Sequence, residues 1–407
     1  MKKCLPIYSI FLFFLVLTGC SHFEYREIEG KYEGLKTSME KHRHLKLLVI
    51  HGMGLHKPGY AQGLVDAIAK QMGMTPQFKY SIVEIRREAT PDNPQDNNGR
   101  VYGYMRVQDY VNKKDDMALR LYELTWSPTT QPIKDQFLGY DSFGKYQKHR
   151  IYLNQQLKSQ LMNERMSEPV LYIGKYKKEM QYPLKWAIRR MLDDEFGPGN
   201  DEIVIITASL GSYMVYDTIT NLGLQPEDRR INTEEFFAKL TTVIMLANQL
   251  PLLLMSEVSR IGDHLGESWE GAKPKGDAVK SAGASWFESP VMRNFVEMRN
   301  SAFQKRFPGQ PVPDISLVAI NDPNDILSYP LPGYLDRDDD YVNYVNVTLN
   351  IAKIRWSTLL ANPITAHTGH EDNSDVIYFI VNGEFPPHPE AKEKVEPPLI
   401  QAPSLSR

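Results

Sequence analysis

Three polar residues stand in chain order where a hydrolytic site would need them. They are Ser209 in T-A-S-L-G (207–211), an aspartate at 322 or 325 in N-D-P-N-D-I-L (321–327), and His367 in N-P-I-T-A-H-T-G-H (362–370). A serine hydroxyl is a weak nucleophile until an imidazole takes its proton, and a carboxylate behind the imidazole fixes the tautomer. Ser209 lies between the apolar run I-V-I-I and the segment S-Y-M-V-Y-D. A sharp strand-to-helix turn there would push the hydroxyl outward, beside the positive end of a helix. Strand and helix approach closely at such a turn, so small neighbours are needed, and Ala208 and Gly211 supply them. Thr207 brings a branched β-carbon that fits only if its φ stays negative. A bare S-x-G at a strand end is also ordinary structure, so the motif takes its meaning from the other members. Both Asp325 and Asp322 remain open as the acid, because the Asn and Pro residues around them would make a turn in any case.

A second glycine-rich turn, H-G-M-G (51–54), follows the apolar run L-K-L-L-V-I. Such a turn exposes backbone N–H groups that can receive an oxyanion. The candidate donors are Leu210, just after the serine, and Gly52, Met53 and Gly54. The turn lacks the G-K-[ST] ending of a phosphate loop and the G-x-G-x-x-G of a dinucleotide site. His370 with His367 makes H-x-x-H, which lacks the spacing of a zinc helix and offers no third ligand. Neither a cofactor nor a metal is expected.

These residues need a scaffold of buried strands. Residues 45–50, 80–86, 118–126, 203–206, 241–247 and 315–320 read as strands, and 342–349 as a last one. Leu64, Val65, Ile68 and Met72 share one side of a helix over 61–72, and 375–383 reads as a helix ending at Gly383. Short apolar runs separated by helical stretches predict an α/β fold, a mostly parallel central sheet with helices on both faces. From 137 to 197 the chain is polar with helical spacing and is expected to pack as helices over that sheet. A Gly- and Ser-rich stretch, 255–300, is a natural place for a lid or cover. No internal repeat is present.

The first twenty residues are a separate object. Lys2 and Lys3 precede an apolar run from Ile7 to Leu17 that is short for a membrane span and has the shape of a secretory signal. It ends in L-T-G-C-S (17–21), which resembles the lipobox of bacterial lipoproteins. That resemblance implies cleavage before Cys20, lipidation of its thiol and a membrane partner through the acyl chains. With Ser21 and not Asp next, it implies the outer membrane facing the periplasm. The other cysteine, Cys4, would leave with the signal, so cysteine nucleophiles and thiolate metal sites are excluded. The expected organisation is a signal at 1–19, a tether or a weak first helix at 20–44, the catalytic-type domain at 45–383 with a possible lid at 255–300, and a tail at 384–407 whose six prolines keep it out of a regular core. A formal net charge of −3 gives no support for nucleic acid as a partner.

Taken together, H-G-x-G at 51–54, S-L-G-S at 209–212 with Tyr216 and Asp217 after it, Asp325 and His367 resemble the α/β-hydrolase superfamily, in its lipase- and esterase-like branch. The resemblance spans about 45–383. It implies an α/β-hydrolase fold with a cover insertion and cofactor-free cleavage of a carboxylic ester, lipid-derived esters included, by Ser209, His367 and Asp325. Two positions depart from the pattern: Ala208 stands where many members have His, and Thr207 where many have Gly or Ala. The bulky elbow leaves a second expectation open, a non-catalytic binding or scaffold lipoprotein on the same fold.

Overall fold

The computed structural model describes residues 25–87, 99–145, 147–197, 199, 201–224, 228, 231–257, 290–331, 341–352 and 363–387. The signal with Cys20, most of the 255–300 cover and the tail beyond 387 lie outside the described residues. Nine strands form one sheet. β1 is Arg26–Glu29, β2 His44–Ile50, β3 Thr75–Arg86, β4 Val101–Asn112, β5 Met117–Thr125, β6 Glu202–Ala208, β7 Leu240–Leu246, β8 Ile315–Asn321 and β9 Val342–Leu349. Their order across the sheet is β1-β9-β8-β7-β6-β2-β5-β4-β3. From β9 to β5 every neighbouring pair is parallel. Antiparallel strands close both edges, β1 on β9 at one and the β4–β3 pair on β5 at the other.

The parallel core follows from the apolar runs. A strand buried on both faces has no solvent side, so β6 runs Ile203-Val204-Ile205-Ile206 without alternation. Side chains still alternate across the pleat. Leu48, Ile50, Ile203 and Ile205 enter one core, and Leu47, Val49, Val204 and Ile206 enter the other. On the first face lie α6 (Lys177–Asp193), α7 (Leu210–Thr220), α8 (Thr233–Lys239) and α10 (Pro290–Arg306), and on the second α1 (Gly34–His42), α2 (Gln62–Gln71) and α12 (Ser374–Asn382). Between β5 and α6 come α3 (Gln131–Phe143), α4 (Tyr152–Gln156), a π-helical stretch at Leu157–Met166 and α5 (Ser167–Ile173). Two short helices remain, α9 (Leu250–Leu254) and α11 (Pro363–Thr368). No helix among the described residues is long and apolar enough to cross a membrane.

Two segments add to the expected scaffold. The segment read as a tether or a weak first helix, 20–44, carries both a strand, β1, and a helix, α1; Leu35 and Met39 are buried in the core. Its polar composition hid this, because an edge strand and a helix with one narrow apolar stripe bury few residues. β4, at 101–112, has no counterpart among the expected strands. It buries Arg106 and Gln108; the Arg106 guanidinium donates to the side-chain oxygens of both Gln108 and Gln62. Arg106 also faces the buried Glu123 of β5. A strand that buries a satisfied polar ladder does not show apolar alternation. By contrast, α12 ends at Gly383 with φ 77°, the left-handed stop that the glycine foretells, and Asn373 caps its start through the Asp375 and Val376 N–H groups.

Candidate active site

β2 is the switch point of the sheet: β5 lies on one side of it, β6 on the other, and the chain crosses over to reach β6. Neighbouring connections diverge at such a point and open a crevice at the carboxyl ends of the strands. The H-G-M-G turn leaves β2 there, and Ser209 leaves β6 beside it. Ser209 has φ 53° and ψ −123°, a conformation that costs a side-chain-bearing residue about 1–3 kcal/mol. Flanking bonds hold it: its N–H donates to the Leu246 carbonyl at 2.8 Å, and its own carbonyl accepts from the Ser212 N–H at 3.0 Å.

The two glycines beside it are required by contact. A β-carbon on Gly52 would stand 2.6 Å from the Ser209 β-carbon, and one on Gly211 would stand 2.9 Å from the His51 carbonyl oxygen. Thr207 is accommodated. It is buried within β6, paired in register with Ile50 and Met245, and its hydroxyl bonds to the Ser212 hydroxyl at 2.9 Å. Its φ is not positive, so the branched β-carbon meets no backbone conflict.

Asp325 follows β8, and His367 sits on α11. The fold brings both to Ser209: His367 Nε2 lies 2.8 Å from Ser209 Oγ, and Nδ1 lies 2.7 Å from Asp325 Oδ2. Asp325 also accepts the Leu327 N–H at 2.9 Å. Burial by itself would raise its carboxyl, but the His367 bond and charge with that N–H outweigh it and hold the group below the usual carboxylate value. With the carboxylate on Nδ1–H, Nε2 is left to accept from the serine hydroxyl. Asp322, the other candidate acid, does not face the histidine. Its Oδ1 accepts from the Asn324 N–H and its Oδ2 from the Ile351 and Ala352 N–H groups at 2.8 and 2.9 Å, tying the ends of β8 and β9 together.

The candidate oxyanion donors separate. Leu210 opens α7, in the first turn, where N–H groups have no partner within the helix. Gly52 and Met53 line the cavity at Ser209. Gly54 is engaged elsewhere: its N–H donates to Glu168 Oε2 at 2.7 Å. Glu168 is fully buried, accepts from the Thr130 hydroxyl, and pairs with Lys134 at 2.9 Å. Burial raises its carboxyl despite Lys134.

His51 clamps the turn from the other side. Its Nδ1–H donates to the Gly52 carbonyl at 2.7 Å, and its Nε2 accepts the Trp126 backbone N–H at 3.0 Å. The Trp126 indole N–H returns a bond to the His51 carbonyl at 2.9 Å. The ring lies between those of His56 and Trp126, at 4.1 and 4.8 Å. A ring that accepts from an N–H must be neutral, and burial above all, with the Lys134 charge, pushes its protonation well down. Asp217, after the serine in α7, is likewise structural: it accepts from Tyr172 and Gln181 and pairs with Lys177. Lys134 and Glu168 escaped the sequence reading, and His51 and Trp126 received no role of their own in it. No short motif links them, although a Trp ending a strand and a lone Glu opening an apolar helix were visible.

Ser209 and His367 open into a cavity of about 130 Å³ that Arg165, His370 and Glu371 also line. His370 is buried with Nδ1 on the His367 carbonyl at 3.2 Å, and burial pushes it down to about 4. Among the described residues no group of three or more His, Cys, Asp or Glu side chains is placed to hold a metal. The molecule is thus an α/β protein whose serine, histidine and aspartate meet at the carboxyl edge of a mostly parallel sheet. No protein-family model matches the chain, and no curated protein or solved structure matches it either.

Proposed function

We propose that this protein is a serine hydrolase of the α/β-hydrolase type that cleaves a carboxylic ester through an acyl-enzyme. The observation that carries the reading is the pair of bonds at His367, 2.8 Å to Ser209 and 2.7 Å to Asp325, on a serine with a positive φ between strand and helix. In this mechanism His367 takes the Ser209 proton as Oγ attacks the acyl carbon. Asp325 holds the imidazole and stabilises the imidazolium. The N–H of Leu210 and one from Gly52 or Met53 receive the oxyanion; each such donor typically lowers the barrier by about 3 kcal/mol. His367 then protonates the departing alcohol, and a water activated by the same histidine releases the acid.

The envelope setting belongs to the same proposal: a lipid on Cys20 would hold the domain at a membrane, with lipid-derived esters in reach. The scaffold alternative draws on the bulk of Thr207; a Thr207 φ that is not positive and its bond to the Ser212 hydroxyl favour the catalytic reading over it. A fluorophosphonate probe tests the reading. Wild-type protein should be labelled and turn over esters, while Ser209→Ala, with an unchanged circular dichroism spectrum, should do neither. Ester turnover that persists in Ser209→Ala would sink it.

A further inference from the structure

Arg165 lines the same cavity as Ser209, and its placement is not explained by anything it bonds to among the described residues. It lies in the π-helical stretch Leu157–Met166. Such stretches are rare and concentrate at functional sites. The side chain lies over the glycine turn, with Cγ and Nε 3.6 and 3.7 Å from where a Gly54 β-carbon would stand. The carboxylates nearest to it in sequence are taken: Glu164 and Glu168 both bind Lys134, at 3.2 and 2.9 Å. Across the cavity, burial with the charges of Asp372 and Glu123 pushes the Glu371 carboxyl up to about 7, so it supplies only part of a negative charge at neutral pH. Burial first, and then the Arg165 charge, lower the protonation of His56 beside it. Among the cavity's lining residues Arg165 is therefore the one permanently charged group.

A half-buried guanidinium with no carboxylate on it among the described residues keeps its donors open to an incoming anion. Its planar fork suits the two oxygens of a carboxylate or a phosphate. We propose that Arg165 selects substrates bearing an anion, a carboxylate or a phosphate, a few bonds from the acyl carbon that Ser209 attacks. This rests on the hydrolase reading and narrows it to acidic esters. The anion sits either on the acyl side, as in a dicarboxylic half-ester, or on the alcohol side, as in an acylated phosphoalcohol.

Two matched pairs distinguish these sources: p-nitrophenyl butyrate against mono-p-nitrophenyl succinate, and butyrylglycerol against butyrylglycerol 3-phosphate. Wild type should prefer the acidic member of at least one pair by about tenfold or more in kcat/KM, as expected for a charge-assisted contact. Arg165→Gln should remove that preference, chiefly through KM, and Arg165→Lys should restore part of it. An unchanged preference in Arg165→Gln overturns the proposal, as does a loss that is equal for acidic and neutral esters, which marks Arg165 as a mere prop for the Gly54 turn. If no ester is turned over, calorimetry on Ser209→Ala with mono-p-nitrophenyl succinate and with glycerol 3-phosphate decides. Binding that the added Arg165→Gln change abolishes keeps Arg165 as the anion reader while the hydrolase reading fails. Absent or Arg165-independent binding overturns it.

Discussion

At the residue scale the two aspartates make the sharpest contrast. They are three positions apart, follow the same strand and are both buried, yet one faces a histidine and the other faces backbone N–H groups. Their amide variants should fail in different ways. Asp325→Asn cannot enforce the Nδ1–H tautomer, and kcat should drop by about 10⁴ in protein that still folds. Asp322→Asn turns one of two accepting oxygens into an NH2 group facing backbone N–H donors and should instead lower stability by about 1–3 kcal/mol in urea unfolding, with activity per folded molecule largely kept. Equal kinetic damage from both would mean the acid has been misassigned. The histidines divide similarly: His367 bridges the serine and the acid, whereas His51 spends both nitrogens on Gly52 and Trp126.

At the element scale, the site depends on how closely two turns approach. Gly211 lets α7 pass the end of β2, and Gly52 lets the β2 turn reach Ser209. Gly211→Ala places a methyl against the His51 carbonyl, so helix and turn must part. We expect a stability loss of about 1–3 kcal/mol together with a fall in probe-labelling rate, because the serine and its oxyanion donors move apart. The helices between β5 and α6 brace the turn through Lys134 and Glu168. Lys134→Met leaves Glu168 buried without its counter-charge and should cost about 3–5 kcal/mol by chemical denaturation. A smaller cost would mean that Gly54 and Thr130 suffice to satisfy that carboxylate.

For the whole molecule, the groups around the cavity set how stability varies with pH. Glu371 is raised in the folded state to about 7, so its contribution is full below the ordinary glutamate value and is lost as pH rises towards 7. Asp325 is lowered, so its contribution is present above the ordinary aspartate value and is lost in stronger acid. His370 is lowered to about 4, so folding weakens as pH falls from about 6.5 towards that value. Glu371→Gln removes only the first of these. Its melting temperature relative to wild type should therefore rise between pH 5 and pH 8, and a difference that stays flat over that range would show that Glu371 titrates normally.

Local pattern in the chain was enough for part of this design. Unbroken apolar runs mark the buried parallel strands, because a strand covered on both faces has no polar side. Gly383 marks a helix end, and small residues around Ser209 mark a close approach. These signals arise within a few residues of one another, so the chain displays them directly. Other features exist only after folding. Asp325 and Asp322 carry the same local signature, and only the position of α11, 42 residues beyond Asp325, separates them. The polar strand β4 and the buried Glu168 are satisfied by partners on other elements, from Gln62 to Lys134, so their own segments read as surface. Thr207 looked obstructive because a motif records residue types and not backbone angles; within β6 its φ is not positive and its hydroxyl finds Ser212. The charge of Arg165 became informative for the same reason. Whether an arginine is a solvated surface group or lines a cavity with a serine depends on which carboxylates among the described residues the fold has already committed to Lys134.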